Sequence, residues 1–180
     1  MAGESVLLDA CVAINLVATE DLVAIGRVLD TTFLMVDQAA VEIGYLRDEV
    51  GGSIVQTPID LEQYSRSDTL QFLSLAEGEL LQYVELAAVV DDGEAATIAI
   101  ARSRGLRMAT DDRKARRVCA DLGMAEPRRS LGILHAYADA APLNDQGIRE
   151  RLIRVRTRAS FRPGQSDPDY KWWSLYVGED

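Results

Sequence analysis

Acidic residues gather at two places between positions 91 and 123, and their spacing is suited to binding a metal ion. The stretch reads DDGEAATIAIARSRGLRMATDDRKARRVCADLG, and its apolar spacing predicts a helix, a short strand and a second helix. Glu94 lies at the start of the first helix, and Asp111 and Asp112 directly follow the strand. In an open α/β sheet, the ends of parallel strands and the starts of the following helices share one edge, where ligands bind. Carboxylates that meet there favour a hard cation such as Mg²⁺ or Mn²⁺, which prefers oxygen ligands.

The same acids have a simpler interpretation. Acidic residues favour helix N-termini because they accept hydrogen bonds from free N–H groups and complement the helix dipole. Asp111 and Asp112 could therefore be only a helix cap. The distinction depends on whether other strands place carboxylates at the same edge.

A third acid follows the first apolar run of the chain. Residues 5–8 predict a central strand that ends at Asp9, followed by a helix over 10–17. A carboxylate is thus expected at the carboxyl end of this strand, and a helix cap is again the alternative. Asn15 lies within the helix, where a local hydrogen bond is the simpler role.

A fourth acid, Glu42, lies in a segment whose spacing predicts a helix over 37–47. A strand at 33–36 precedes it, and Val41, Tyr45 and Leu46 are expected on its inner face. Glu42 is one position from this apolar stripe. Spacing alone therefore favours a solvated side chain, since most glutamates are exposed.

The remaining elements follow from turn residues and periodicity. Gly51 and Gly52 predict a turn, residues 53–57 a short strand that Pro58 stops, and residues 60–90 a mainly helical region. Gly105 and Gly123 are suited to end the two helices of the acidic stretch. Residues 124–126 predict a last short strand, and Ser130 is a candidate cap for the helix after it.

Length and composition favour one globular α/β domain. The chain has 180 residues, of which 48% are hydrophobic, enough for an ordinary core. We predict a domain over 1–160 and an aromatic tail over 161–180 that packs back or lies at an interface. No secretory signal or membrane span is evident. Cys11 and Cys119 have no metal-like spacing, which fits a reduced cytoplasmic setting.

Charge is unevenly distributed along the chain. The net charge is −10, but residues 1–90 hold 3 Arg/Lys against 15 Asp/Glu, whereas residues 91–180 hold 16 against 14. Several arginines follow Asn144 in a predicted helix over 148–157. They have two interpretations: a charged face docked against the acidic first half, or phosphate contacts. His135 is the only histidine, so a two-histidine metal motif is excluded, and we expect a structural role for it.

In order and spacing, these motifs resemble the PIN-domain nucleases, and most closely the VapC-like branch with a GEA segment. The motifs are the strand before Asp9, Glu42 within VDQAAVEIGYL, the segment DDGEAATIAIARSRG, and the strand ending in MATDD. The similarity covers residues 5–125, with a looser likeness over 130–140. It implies a three-layer α/β/α fold around a mostly parallel sheet, Mg²⁺ or Mn²⁺ as cofactor, and RNA hydrolysis.

The resemblance also implies roles for particular residues. The acidic site would comprise Asp9, Glu42, Glu94 and Asp112, with Asp111 and Asp91 as alternates. Asp9 and Asp112 would be direct ligands, and Glu94 and Glu42 would bind a second ion or hold its waters. Thr110 matches the threonine or serine beside the last acid, and Asn15 would support the site. Cys11 departs from the family pattern, in which a small hydroxyl residue or asparagine is common at that position. Candidate RNA-binding residues are Arg113, Lys114, Arg151, Arg154 and Arg158.

The implied function is a metal-dependent endoribonuclease, the toxin of a toxin–antitoxin pair, acting as a homodimer with an antitoxin partner. Two alternatives remain open at this point. One is a PIN-like scaffold that has lost nuclease activity, and the other is a Mg²⁺-dependent phosphatase or nucleotide hydrolase, suggested by the acidic surface.

Overall fold

Parallel strands form the centre of the computed structural model, which describes residues 3–178. The strands are β1 (Glu4–Leu8), β2 (Thr31–Val36), β3 (Tyr45–Val50), β4 (Ser53–Pro58), β5 (Leu70–Leu73) and β6 (Arg107–Ala109). Four of them make one parallel sheet in the order β5-β2-β1-β6, and β3 pairs with β4 in a separate antiparallel hairpin. Successive residues of β1 point to opposite faces, yet Val6, Leu7 and Leu8 are all fully buried, so both faces are covered. The predicted α/β fold with a central parallel sheet is confirmed.

Helices fill the space between and around these strands. They are α1 (Ala10–Ala18), α2 (Leu22–Val28), α3 (Asp37–Ala40), α4 (Glu62–Ser65), α5 (Leu80–Ala87), α6 (Asp92–Arg104), α7 (Arg113–Asp121), α8 (Ser130–Ala140), α9 (Asp145–Arg158) and α10 (Tyr170–Val177). Helix α6 is buried on every side from residue 93 to residue 101, which its small side chains allow. As predicted, it ends at Gly105, whose φ of 62° lies in the left-handed region. Across residues 3–178, no helix is long and apolar enough to cross a membrane.

The sheet order creates a crevice beside the central strand. From β1 the chain builds toward β2 and β5 on one side, and later returns to place β6 on the other side. The carboxyl ends of β1 and β6 therefore flank a topological switch point, where ligands bind in sheets of this kind. Leu8 pairs with Ala109, and the Asp9 amide donates to the Ala109 carbonyl at 3.0 Å. The residues that follow β1 and β6 therefore lie side by side at the same edge of the sheet.

The predicted helix over 37–47 is wrong beyond its first turn. Helix α3 ends at Ala40, Val41 is 84% exposed, and Tyr45 begins a strand of the β3–β4 hairpin. Gly51 and Gly52, with φ of 59° and 80°, form the tight turn that both strands need. The turn and β4 were predicted, but β3 was not, because pairing with β4 outweighs the local helical spacing.

Two other predicted elements also differ. Residues 70–73 are not helical but form the edge strand β5, which pairs with β2 from Phe33 to Val36; so short an apolar run has no decisive period of its own. Residues 124–126 form no strand, and the bridge to Ala109 comes instead from Arg128. Ser130 is the first residue of α8 rather than its cap, which is Arg129.

The arginines of α9 dock against the acidic first half of the chain, as the first of the two interpretations proposes. Arg151 pairs with Asp21, Arg154 with Glu20 at 3.2 Å, and Arg158 with Asp48 at 2.6 Å. Their contact with RNA remains a prediction, and these pairs show how the basic second half is held on the acidic first half.

Helix α10 packs back on the domain. Trp173 is 3% exposed and meets Phe161 edge to face, with ring centroids 5.7 Å apart. Trp172 stacks on His135 at 4.4 Å, and His135 Nδ1 lies 2.7 Å from Asp169 Oδ1. His135 thus takes part in packing the tail against α8.

Candidate metal centre

Three acids of the predicted site cap three different helices. Asp9 caps α1, Asp91 caps α6 and Asp112 caps α7. Asp91 Oδ1 accepts from the Glu94 amide at 2.8 Å, and Asp112 Oδ1 accepts from the amides of Lys114 and Ala115 at 2.7 and 2.8 Å. Among the described residues, no donor contacts Oδ2 of Asp91 or Asp112. For Asp91 and Asp112, the cap and ligand interpretations are therefore compatible, because each of these two carboxylates keeps an oxygen for a cation.

Asp9 is held at the carboxyl end of β1 by donors from two elements. It is 3% exposed, and its Oδ1 accepts from the Ala10 amide at 2.7 Å. Its Oδ2 accepts from the Thr110 hydroxyl at 2.8 Å and from the Cys11 thiol at 3.1 Å. Thr110 also accepts from the Asp112 amide at 3.1 Å, so its hydroxyl connects the two acids. Burial raises the pKa of Asp9, while these hydrogen bonds lower it.

Glu94 lies in the first turn of α6, where nearby carboxylates repel its negative charge. The side chain is buried, and the pKa of Glu94 is raised to about 7. The largest cause is burial, followed by repulsion from Asp112, Asp91 and Asp9. Glu94 therefore shares one electrostatic environment with the three capping acids.

Glu42 reaches the same place from the turn after α3. Its Oε1 accepts from the Gly93 amide at 2.8 Å. Burial raises the pKa of Glu42, and so does repulsion from Asp91 and Asp9. Glu42 remains exposed, as spacing alone had favoured, yet its carboxylate is held against the start of α6 by the Gly93 amide.

Gly93 makes this approach possible, although the sequence did not single it out. A Cβ atom at Gly93 would lie 2.5 Å from Glu42 Oε1, far inside van der Waals contact. Besides its place in the GEA segment, the sequence signal was a glycine in the first turn of a helix that has no need of one, since glycine weakens helices.

We expect Gly93→Ala to displace Glu42 without harming the fold. Alanine favours a helix over glycine by up to about 1 kcal/mol, and the atom it displaces is the end of a flexible side chain. The melting temperature should therefore not fall, while Mn²⁺ affinity drops by about 10- to 100-fold, as for other losses around metal ligands. Gly132→Ala is the matched control, because its Cβ would make an ordinary 3.4 Å contact in α8. Unchanged Mn²⁺ affinity in Gly93→Ala would remove Glu42 from the site.

Asp111 belongs to a different network from Asp112. Its Oδ1 accepts from the Ser130 amide at 2.9 Å, and its Oδ2 accepts from the Ser130 hydroxyl and, at 3.0 Å, from Asn15 Nδ2. Asp111 thus ties the start of α8 to the end of β6. Asn15, predicted to support the site, supports Asp111. Repulsion from Asp112 is the second-largest cause of the raised pKa of Glu94, after burial.

Arg113 and Lys114, predicted to bind RNA, are the first two residues of α7 and are exposed beside Asp112. Their position next to the acidic cluster is compatible with that role, which remains a prediction.

The donor set fits a hard divalent cation. The five acids are Asp9, Glu42, Asp91, Glu94 and Asp112, and none forms an ion pair with a basic side chain among residues 3–178. Oxygen ligands of this type suit Mg²⁺ and Mn²⁺. The pKa values of Asp9, Glu42 and Glu94 are raised first by burial and then by repulsion between acids, and a cation would relieve the repulsion. Within the same residues, no three acids, cysteines or histidines already stand close enough together to hold an ion.

Fold and site together define a class of protein. The central parallel sheet flanked by helices is consistent with a PIN-like fold. A family model, DUF3368, described as a PIN domain, matches residues 5–160. The chain therefore belongs to the PIN-domain family, whose members are typically nucleases. No curated protein and no solved structure was found to match it.

Proposed function

We propose that this protein is a metal-dependent endoribonuclease that hydrolyses RNA phosphodiester bonds, and that it is the toxin of a toxin–antitoxin pair. The observation that carries the proposal is that five carboxylates, from the end of β1, the turn after α3, the start of α6 and the end of β6, lie near enough to influence one another electrostatically. None of these acids is neutralised by a basic side chain of the described chain. A homodimer and an antitoxin partner are part of the same proposal, and they rest on the VapC-like segment alone.

The chemistry of the site needs neither histidine nor a thiolate. Bound Mg²⁺ or Mn²⁺ would neutralise charge on the scissile phosphate and lower the pKa of a coordinated water. Asp9 and Asp112 would hold the ion, and Glu94 and Glu42 would bind a second ion or position its waters. Thr110 orients both Asp9 and the start of α7. Cys11 acts as a neutral donor to Asp9, since burial and the Asp9 charge raise the pKa of its thiol.

Thermal melting with EDTA, Mg²⁺ or Mn²⁺ tests the metal site before any substrate is known. We expect both ions to raise the melting temperature of the wild type, because a ligand that binds only the folded state stabilises it. Asp112→Asn should abolish most of this rise. Asparagine caps helices as well as aspartate does, so the variant removes a charge while α7 keeps its cap.

Asp111→Asn is the matched control for this experiment. Its amide group would replace an oxygen that accepts from Ser130 or Asn15. The variant should therefore melt lower in EDTA yet keep the full metal-induced rise. If Asp112→Asn kept the rise and Asp111→Asn lost it, the ligand assignment at the end of β6 would be reversed.

A screen of RNA cleavage then decides between classes of function. Mn²⁺-dependent cleavage of RNA within the strand, together with growth arrest when the chain is expressed in bacteria, would support the proposal. Metal binding without cleavage would favour a scaffold, and hydrolysis of a simple phosphate ester with RNA left intact would favour a phosphatase.

A further inference from the structure

A groove begins beside the metal centre and runs between the β3–β4 hairpin and the end of α9. Its first part is a cavity of about 470 Å³, lined by Glu42, Tyr45, Arg47, Arg158 and Ser160 among others. Of the five acids, Glu42 lines this cavity, so this end of the groove adjoins the candidate site at Glu42. Ile14 of α1 forms part of its floor.

The groove continues into a second cavity of about 790 Å³, which shares Arg47, Arg158 and Ser160 with the first. Four arginines line this second part, Arg47, Arg156, Arg158 and Arg162, against two acids, Asp48 and Glu49. The chain as a whole carries a net charge of −10. Arg158 is paired with both Asp48 and Glu20, so the excess of positive charge in the groove is small. Such a local excess in an acidic protein can still attract a polyanion at short range.

The hairpin presents an aromatic and a basic side chain on one face. Tyr45 and Arg47 are two residues apart in β3 and therefore point the same way, and Tyr45 is 46% exposed. On the opposite face, Leu46 is buried and Asp48 pairs with Arg158 of α9. The hairpin is thus anchored to α9 by the pair of Asp48 with Arg158, and Tyr45 and Arg47 line the groove beside that pair.

Arg47 is positioned by the residue that follows α9. Its Nη1 donates to Ser160 Oγ at 3.1 Å, and no acid of the described chain forms an ion pair with it. A guanidinium has five N–H donors, so most of them are available to a phosphate. Ser160 has a φ of 56°, in the left-handed region that favours glycine, and such backbone strain is often kept at functional sites.

We infer that this hairpin groove binds the phosphate backbone of a single RNA strand leading to the metal centre, with Arg47 contacting a phosphate and Tyr45 stacking on a base. The inference rests on the proposed function and names the path of its substrate. An arginine beside an exposed aromatic ring suits an unpaired strand, whose bases are free to stack. An acidic peptide would use the arginines but would gain little from Tyr45.

Fluorescence anisotropy with a labelled 12-nucleotide single-stranded RNA tests the groove apart from catalysis. The protein carries Asp9→Asn, so that cleavage does not interfere, and Mg²⁺ is present. Adding Arg47→Ala should weaken binding about 5- to 10-fold and reduce the slope of log K against log salt concentration by about 0.7, the value of one phosphate contact in single strands. Adding Tyr45→Ala should weaken binding about 10-fold with little change in that slope, because stacking releases no counterions.

Arg102→Ala is the matched control, since Arg102 lies in the last turn of α6, at the far end of that helix from Glu94. Binding unaffected by Arg47→Ala and Tyr45→Ala, or weakened as much by Arg102→Ala, would overturn the inference. The result is separable from the proposed function. Groove-dependent binding by a wild type that cuts no RNA would reject the nuclease and keep the groove. RNA cleavage by the wild type, with unchanged RNA affinity in both groove variants, would keep the nuclease and reject the groove.

Discussion

Asp9→Asn is expected to reduce RNA cleavage by at least about 10²-fold, because the transition-state stabilisation that a catalytic metal supplies is worth several kcal/mol. The fold should survive the change. Asparagine still caps helices, so the start of α1 is preserved. The substitution also removes a buried carboxyl group whose pKa is raised by its burial. Cleavage of a labelled RNA with Mn²⁺, followed over time on a gel, measures the effect, and circular dichroism checks the fold.

Asp111→Asn is the comparison that makes this result specific. Asp111 also follows a strand of the sheet, but its carboxylate is bound to Ser130 and Asn15. The Asp111→Asn variant should be less stable than the wild type but keep most of its activity per folded molecule. Full activity in Asp9→Asn would remove the central ligand of the site, and the metal assignment with it.

Glu94→Gln is expected to stabilise the metal-free protein at neutral pH while it inactivates the enzyme. In the folded protein, the pKa of Glu94 is raised from 4.5 to about 7. Such a shift corresponds to destabilisation on the order of 2–3 kcal/mol once the carboxyl group is ionised. In EDTA at pH 8, the variant should therefore melt about 5–10 °C above the wild type, given the usual change of 2–4 °C per kcal/mol at this chain length.

The pH dependence has a definite sign. Between pH 4.5 and about 7, the folded wild type keeps a proton on Glu94 that the unfolded chain has lost. Stability in EDTA therefore falls as the pH rises through this window, and the raised pKa values of Asp9 and Glu42 act in the same direction. Glutamine does not titrate, so the melting temperature of Glu94→Gln should change less between pH 5 and pH 8.

Glu79 does not contribute to the change in melting temperature between pH 5 and pH 8. Its pair with Arg104 lowers the pKa of Glu79 to about 2, so its contribution to stability is lost only as the pH falls below 4.5 toward 2.

Saturating Mn²⁺ should reverse the order of the two melting temperatures at pH 8, because only the wild type gains the binding energy of the complete site. Identical melting curves for the two proteins from pH 5 to pH 8 would show that Glu94 is not crowded by the other acids.

Local patterns in the sequence were sufficient for the elements that carry most of the site. The apolar run before Asp9, the alanine-rich helix after Asp91 and the strand before Asp112 have signals within a few residues: hydrophobic spacing, an acid at the helix start, a glycine at its end. Such signals survive folding because backbone capping and the burial of one helix or strand depend on neighbours in the chain. The order of these acids also sufficed to suggest the PIN-domain family.

Only the tertiary structure decided which side chains meet. Glu42 reaches the cluster because Gly93, 51 residues later, has no Cβ in its way. Asp111 and Asp112 are neighbours in sequence, but Ser130 and Asn15 donate hydrogen bonds to Asp111. Asp112 receives none from them and remains available to the site. The strand β3 exists because β4 pairs with it, against its own helical spacing. For Glu42 and Asp111 the deciding partner is distant in the chain, and for β3 it is the neighbouring strand of the hairpin. In each case a hydrogen bond or steric contact with another segment decides, and it leaves no periodic mark on the local sequence.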